Sequence, residues 1–155
     1  MGFLYTLDMN KVRIEKIKAV DEKKYNAIRN LLAQLYPERS PLEFEKFQRV
    51  VNSPNVSVYI ATVDGEIVGT SQLASYEKLG GEIWTIEDVV IDKSTRGKGI
   101  GKKLTEQMLK DAREGGARCI DLSTRRERAR KFYIEKCGFK DKAEDRPFWG
   151  LRYTF

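Results

Sequence analysis

The sequence has no histidine and only two cysteines, and these shortages exclude several kinds of chemistry. Without imidazole, a mechanism that depends on a histidine base is excluded, and a zinc site of the ordinary ligand type is not expected. Cys119 and Cys137 do not form a Cys-x-x-Cys pair. They indicate reduced thiols, which are typical of a cytoplasmic protein. We therefore expect no metal and a cytoplasmic location.

Long apolar runs are also absent. No stretch approaches the roughly 18 apolar residues of a membrane-spanning helix, and the N-terminus lacks the apolar core of a secretory signal. We expect no membrane partner. A chain of 155 residues is long enough to bury a sizeable core, which predicts one domain over residues 1–155 with residues 1–10 as a flexible leader.

Charge is abundant and unequal in sign. The chain has 29 Lys and Arg against 23 Asp and Glu, a formal net charge of +6 and a pI near 9.3. Such an excess favours an anionic partner without naming it. The basic run 125–131 is compatible with a nucleic-acid surface, but no DNA or RNA motif accompanies it. Nucleic acid is therefore not the partner we expect.

Periodicity and turn residues predict an alternation of strands and helices without an internal repeat. The Asp64-Gly65 pair between two β-rich runs predicts a hairpin. The predicted elements are a strand at 11–17, a helix from Asp21, a second helix opened by Ser40-Pro41, the hairpin strands, a strand at 82–91, a helix from Gly99 to Glu114, a short strand at 119–123 with Cys119 in the core, a helix from Arg126 to Lys136, and two short β segments near Phe139 and at 148–155. This order predicts an α/β (α+β) fold with a mixed, partly antiparallel central sheet and about four helices.

The segment STRGKGIGKKL, residues 94–104, is rich in glycine and in positive charge and lies between a predicted strand and a predicted helix. A helix N-terminus attracts phosphate through its backbone N–H groups and its dipole, and glycines let a ligand approach the backbone closely. The segment does not match the P-loop or the dinucleotide fingerprint. The pattern thus favours a pyrophosphate other than that of ATP or NAD.

Two motifs resemble the GNAT superfamily of acetyl-CoA-dependent N-acetyltransferases. IEDVVIDKSTRGKGIGKKL is similar to the family's acetyl-CoA segment, whose pattern (Q/R)-x-x-G-x-(G/A) is filled by Arg96, Gly99 and Gly101. ARKFYIEKCGF is similar to the second signature around the next helix. GEIWTIEDVVI and FYIEKCGF also resemble the glucosamine-6-phosphate N-acetyltransferase subfamily, whereas DLSTRRERAR departs from it.

The resemblance implies an enzyme that moves an acetyl group from acetyl-CoA, as cosubstrate, to a primary amine. It implies that Glu87 is the general base with Asp88 in reserve, a water chain being the alternative, and that Tyr133 protonates the departing thiolate. Adjacent strand residues face opposite sides unless a bulge intervenes, so only one of the two carboxylates is expected to meet the acceptor. Tyr133 is also compatible with a role as a core aromatic.

The resemblance implies that the cofactor binds through its pantetheine to the backbone of Val89, Val90 and Ile91. The cofactor-binding residues of the turn are expected to be Arg96, Gly97, Lys98, Gly99, Ile100, Gly101 and Lys102. Arg126 departs from the family, many of whose members have asparagine there, and is expected to reach a phosphate or a pantetheine carbonyl instead. The acceptor pocket is expected from residues 25–50, 70–82 and 140–155. The acceptor itself stays open among an amino-sugar phosphate, a polyamine, an aminoglycoside, an amino acid and a peptide N-terminus.

Two other functions are compatible with the sequence. One is a protein that binds acetyl-CoA without turnover, and the other is a basic nucleic-acid-binding module. The aromatic C-terminus is compatible with a homodimer contact.

Overall fold

Four strands and four helices make up the regular structure of the computed structural model, which describes residues 8, 11–144, 147–148 and 150–155. The elements are β1 (Val12–Lys16), α1 (Glu22–Leu35), α2 (Phe44–Val51), β2 (Val56–Val63), β3 (Glu66–Lys78), β4 (Gly81–Ile91), α3 (Ile100–Glu114) and α4 (Glu127–Cys137). The predicted α/β class with about four helices is confirmed. Most of the expected leader, residues 1–7 and 9–10, lies outside the described residues.

The chain divides into two compact units, Met1–Ser123 and Thr124–Phe155. The first unit contains an antiparallel sheet in the order β1-β2-β3-β4. Its central hairpin turns at Asp64 and Gly65, whose φ angles of 50° and 85° suit the tight turn that matches strand twist. The hairpin prediction is confirmed.

Helices cover both faces of this sheet. Successive side chains of β2 point to opposite faces, and each face packs against different helices. Val58 and Ile60 pack with Ile28 of α1 and Phe47 of α2. Ala61 packs with Ile100, the first residue of α3, on the other face. The stripe Leu104, Met108 and Ala112 of α3 is fully buried, as its helical spacing predicts.

One of the two helix starts predicted in the first unit is confirmed, and the other differs. Asp21 caps α1 as expected, its side chain accepting from the Lys24 amide. However, α2 begins at Phe44 and not at Ser40-Pro41, because Glu43 is extended and the Tyr25 hydroxyl donates to the Leu42 carbonyl. Residues 40–43 therefore form a non-helical connection that leads into α2.

The predicted strand at 119–123 is wrong. Asp121 alone bridges β4, in parallel with Thr85, through two backbone hydrogen bonds of 2.8 and 3.0 Å. Cys119 is exposed and not in the core. A contact limited to one residue leaves the rest of the segment without the ladder that makes a strand.

In the second unit, α4 follows Arg126 as predicted and ends at Gly138, whose φ of 77° suits the left-handed cap position. The two predicted C-terminal β segments are absent from the described residues of this unit. Leu151, Tyr153 and Phe155 are exposed instead, because no strand in the described part of the unit pairs with this tail.

Candidate functional site

A β-bulge in β4 turns one carboxylate towards a cavity. Thr70 pairs with Val90 and Gln72 with Glu87, so that Ser71 faces two residues of β4, Asp88 and Val89. Asp88 has a φ of 51°, in the left-handed region that costs a non-glycine residue about 1–3 kcal/mol. The bulge is therefore a strained feature that the surrounding structure maintains, and such features concentrate at functional sites.

The cavity has a volume of about 300 Å³ and lies between α1, α2 and the sheet. Apolar side chains of the two helices form much of its wall, among them Ile28, Leu32 and Phe47. Thr70, Ser71, Gln72 and Asp88 line it from the sheet. This combination of an apolar wall and a few convergent polar groups is typical of a small-molecule site. The first two stretches expected for the acceptor pocket contribute to it.

Asp88 is held by two neutral donors. The Tyr36 hydroxyl donates to Oδ1 at 2.6 Å, and the Gln72 side-chain amide donates to Oδ2. Burial, together with the hydrogen bond to Asp88, raises the pKa of Tyr36 to about 12. Tyr36 therefore keeps its proton at neutral pH and fixes the orientation of the carboxylate.

Glu87, the predicted base, lies differently. Its side chain is exposed, does not line the cavity and accepts a hydrogen bond of 2.8 Å from the Thr85 hydroxyl. Of the two neighbouring carboxylates, only Asp88 therefore lines the cavity. The sequence contains no local signal for the role of Gln72, because its contact with Asp88 depends on the register of β3 and β4.

The last half of β4 has an open side. Beyond the bridge at Thr85, no strand in the described part of the chain pairs with Glu87–Ile91 on the side away from β3. Val89, Val90 and Ile91, the residues expected to bind pantetheine through their backbone, lie in this segment. The Ile91 carbonyl already accepts from Arg96 Nε at 2.9 Å.

Asp92 anchors the turn that follows β4. It accepts from the Ser94 hydroxyl and amide and from the Gln34 side chain of α1, and these hydrogen bonds lower its pKa to about 2. Lys93 N in turn donates to Gln34 Oε1 at 3.1 Å. The ionised Asp92 therefore connects the glycine-rich turn to the helix that walls the cavity.

The turn ends at the N-terminus of α3, which carries no side-chain cap and no acidic residue in its first turn. Gly97 and Gly99 have φ angles of 77° and 80°, which glycine adopts without strain. The first amides of α3 have no carbonyl of the helix to bind. The backbone at Ile100–Lys102 can accordingly receive an anion.

Basic side chains around this turn have different partners. Arg96 binds the Ile91 carbonyl, and Lys102 pairs with Glu106 at 3.6 Å on the exposed face. Lys103 donates to the Val12 carbonyl at 2.6 Å, which directs it towards β1. Lys98 is exposed beside the two glycines. Three of the predicted cofactor residues, Arg96, Lys98 and Lys102, are thus at the surface of the turn.

The second unit contains the two remaining predicted site residues, Tyr133 and Arg126. Tyr133 is 8% exposed. Its ring packs edge-on against Phe132 and Phe139, with ring centroids 5.0 and 5.6 Å apart. Burial, with a smaller contribution from Cys137, raises the pKa of Tyr133 to about 12. Its hydroxyl forms no hydrogen bond with another described residue. Arg126 precedes α4 and is exposed.

The described residues include neither a metal-binding cluster nor a membrane-spanning helix. They contain no group of three or more His, Cys, Asp or Glu side chains placed to hold a metal ion. None of the helices in this part of the chain combines the length and the apolar character needed to cross a membrane.

Comparison with known proteins identifies relatives over most of the chain. Glucosamine 6-phosphate N-acetyltransferase of Arabidopsis thaliana is 28% identical over 140 residues, which are 84% of this chain and 91% of that protein. Probable glucosamine 6-phosphate N-acetyltransferase 2 of Oryza sativa subsp. japonica is 35% identical over 63 residues, 41% of this chain and only 37% of the rice protein.

The fold is also that of solved acetyltransferases. An aminoglycoside acetyltransferase, meta-AAC0020, from an uncultured soil metagenomic sample in complex with sisomicin superposes with a TM-score of 0.79 at 23% identity. The match covers 94% of this chain and 97% of that one. The model of the acetyltransferase (GNAT) family matches residues 25–139. The chain therefore belongs to the GNAT acetyltransferase family.

Proposed function

We propose that this chain is an acetyl-CoA-dependent N-acetyltransferase whose amine acceptor binds in the cavity beside Asp88. The observation that carries the proposal is the β4 bulge, which places a carboxylate in the cavity. The open side of β4 and the uncapped N-terminus of α3 follow within the same unit. An amine site and a thioester site would thus share one strand.

Acetyl transfer requires a neutral amine, and we assign its proton to Asp88. The amine nitrogen forms a bond to the acetyl carbonyl carbon, the carbon–sulfur bond breaks, and the amine proton passes to Asp88 directly or through water. Tyr36 and Gln72 orient the carboxylate for this step. Glu87 stays a second candidate base, since an exposed carboxylate can act through a water chain.

Acetyl-CoA supplies the activated acetyl group as a thioester. The residues proposed to hold it are the backbone of Val89–Ile91 along the open side of β4 and the turn from Arg96 to Lys102. The uncapped amides and the left-handed glycines of that turn fit a pyrophosphate. Arg126 is proposed to contact the cofactor through its guanidinium.

Tyr133 is proposed to give the proton that the thiolate needs. Its raised pKa keeps the phenol protonated at neutral pH, and this is the form that a general acid requires. The assignment comes from the match of ARKFYIEKCGF to the family's second signature.

The acceptor is proposed to be a small molecule or a peptide with a primary amine. The Arabidopsis and rice relatives are named for glucosamine 6-phosphate, and the solved relative was crystallised with sisomicin. Both amines, together with an aminoalkylphosphonate, a polyamine and an amino acid, belong in a first screen for thiol release.

We also propose a cytoplasmic location and a homodimer. Cys119 and Cys137 are free thiols, which suit a reducing compartment. Tyr76 and Leu79 are exposed near the β3–β4 connection and offer apolar surface for a second copy. Light scattering after size-exclusion chromatography measures the oligomeric state, and a monomer mass at working concentration would reject the dimer.

Calorimetric titration with acetyl-CoA, desulfo-CoA and ATP tests the function most directly. We expect micromolar binding of both CoA compounds and none of ATP. If no CoA compound binds, the acetyltransferase proposal is wrong. If acetyl-CoA binds and no amine in the screen releases thiol, the chain is an acetyl-CoA-binding protein without turnover.

A further inference from the structure

Three basic side chains line the same cavity as Asp88. Arg29 lies on α1, Arg39 in the connection that follows, and Lys46 on α2. All three are exposed at the cavity rim, whereas the wall beneath them is largely apolar. The cavity therefore has a positive entrance and a carboxylate on the strand side.

These cations are not neutralised within the described structure. None of the three forms a salt bridge with a described residue, and Asp88 is the one carboxylate among the described residues that line the cavity. The lining thus has three positive groups against one negative group. A cavity lined in this way attracts anions.

Tyr36 links the positive and negative parts. The Arg39 guanidinium carbon lies 3.8 Å from the centroid of the Tyr36 ring, and the hydroxyl of the same ring donates to Asp88 at 2.6 Å. The guanidinium and the carboxylate are consequently separated by about one phenol side chain. A small molecule with an amine at one end and an anion at the other can reach both.

We infer that the acceptor is a small primary amine that carries a phosphate or phosphonate group. The amine faces Asp88, and the anion binds Arg29, Arg39 and Lys46. Guanidinium groups bind such oxyanions with paired, charge-assisted hydrogen bonds. The inference rests on the proposed acetyltransferase function, and it excludes polyamines and other polycations, whose additional ammonium groups would face three like charges.

Matched acceptors test this assignment. The rate of thiol release is measured for glucosamine 6-phosphate against glucosamine, for 2-aminoethylphosphonate against propylamine, and for spermidine. We expect kcat/KM to be higher by about tenfold or more for the phosphorus-containing member of each pair. The preference should shrink as salt is raised, because the rim is exposed and its charges are screened.

Substitutions at the rim provide the second test. Arg29→Ala, Arg39→Ala and Lys46→Ala should each reduce the phosphate preference by raising KM for glucosamine 6-phosphate more than KM for glucosamine. Arg49→Ala is the matched control, because Arg49 is exposed on α2 and does not line the cavity. Equal loss of rate with both members of a pair would indicate a structural effect and would overturn the inference.

The two proposals fail in different ways. Absence of CoA binding rejects the acetyltransferase function itself. Acetylation of neutral amines as fast as their phosphorylated partners rejects the anionic acceptor and leaves the enzyme intact. If acetyl-CoA binds and no amine reacts, calorimetry of glucosamine 6-phosphate against glucosamine decides, and equal affinities contradict the inference.

Discussion

Asp88 and Glu87 follow one another in β4, yet only Asp88 faces the cavity. The difference comes from one backbone conformation, the left-handed φ of Asp88, and from the two donors that hold its side chain. Asp88 therefore lies where an acceptor in the cavity would meet it, whereas Glu87 lies outside the cavity. The matched pair of amide substitutions separates the two candidates.

Asp88→Asn should lower kcat by about 10²- to 10⁴-fold, the usual contribution of a general base. Acetyl-CoA affinity, measured by calorimetry, should stay close to that of the unmodified protein. Glu87→Gln is the control and should change kcat only slightly. A larger loss for Glu87→Gln than for Asp88→Asn would transfer the role to Glu87, and small losses for both would favour the water chain.

Tyr133 can be tested by removing a single oxygen atom. Tyr133→Phe retains the ring contacts with Phe132 and Phe139 and breaks no hydrogen bond to a described residue, so thermal stability should change little. If Tyr133 is the acid, kcat falls by about 10²- to 10⁴-fold at constant acetyl-CoA affinity. Unchanged turnover in the folded variant would make Tyr133 a core aromatic only.

The orientation of Asp88 could not be predicted from the sequence, although both carboxylates were identified. A strand pattern places neighbouring residues on opposite faces, and only the pairing of Thr70 and Gln72 with β4 reveals the extra residue. The partners Tyr36 and Gln72 are 52 and 16 residues from Asp88 in the chain. Such contacts depend on tertiary structure and leave no local signal.

At the scale of elements, local signals succeeded where a tight turn or helical periodicity determines the outcome. Asp64-Gly65 and the stripe of α3 are of this kind. The start of α2 and the predicted strand at 119–123 failed because distant contacts decide them, namely the Tyr25 bond to Leu42 and the single bridge at Asp121. Propensity alone contains no information about a missing partner strand.

The role of the glycine-rich turn can be tested by substituting one glycine in the turn, before α3, and a control glycine after the end of α3. Gly99 and Gly116 both have positive φ angles, 80° and 92°, so a tryptophan at either position carries a similar backbone strain. Only Gly99 lies in the turn proposed to bind pyrophosphate. Gly99→Trp should abolish acetyl-CoA binding, whereas Gly116→Trp should destabilise the protein to a similar extent and still bind.

Calorimetry on both folded variants, with circular dichroism to verify the fold, measures this difference. Retained affinity in Gly99→Trp would reject the turn as the pyrophosphate site. Equal loss in both variants would show that strain in α3, and not contact with the ligand, controls binding.

At the scale of the whole molecule, the net charge of +6 leads to weak association with any polyanion at low salt. Non-specific DNA binding of this kind depends on counterion release, so its affinity falls steeply as salt increases. A ligand that is recognised by a shaped site depends less on salt. The salt dependence therefore distinguishes an enzyme with a basic surface from a nucleic-acid-binding module.

Thermal unfolding tests acetyl-CoA and duplex DNA in the same measurement. A ligand at 100 times its Kd stabilises the folded state by about 2.7 kcal/mol, which for a chain of this length raises Tm by about 5–10 °C. Acetyl-CoA should raise Tm at both 50 and 200 mM salt. The rise should be only moderately smaller at the higher concentration, because the proposed contacts with backbone amides and along β4 add to those of the exposed basic side chains, which salt screens. Duplex DNA should raise Tm only at the lower salt concentration. Stabilisation by DNA that persists at the higher salt, together with none by acetyl-CoA, would mean that the basic surface and not the cavity is the functional site.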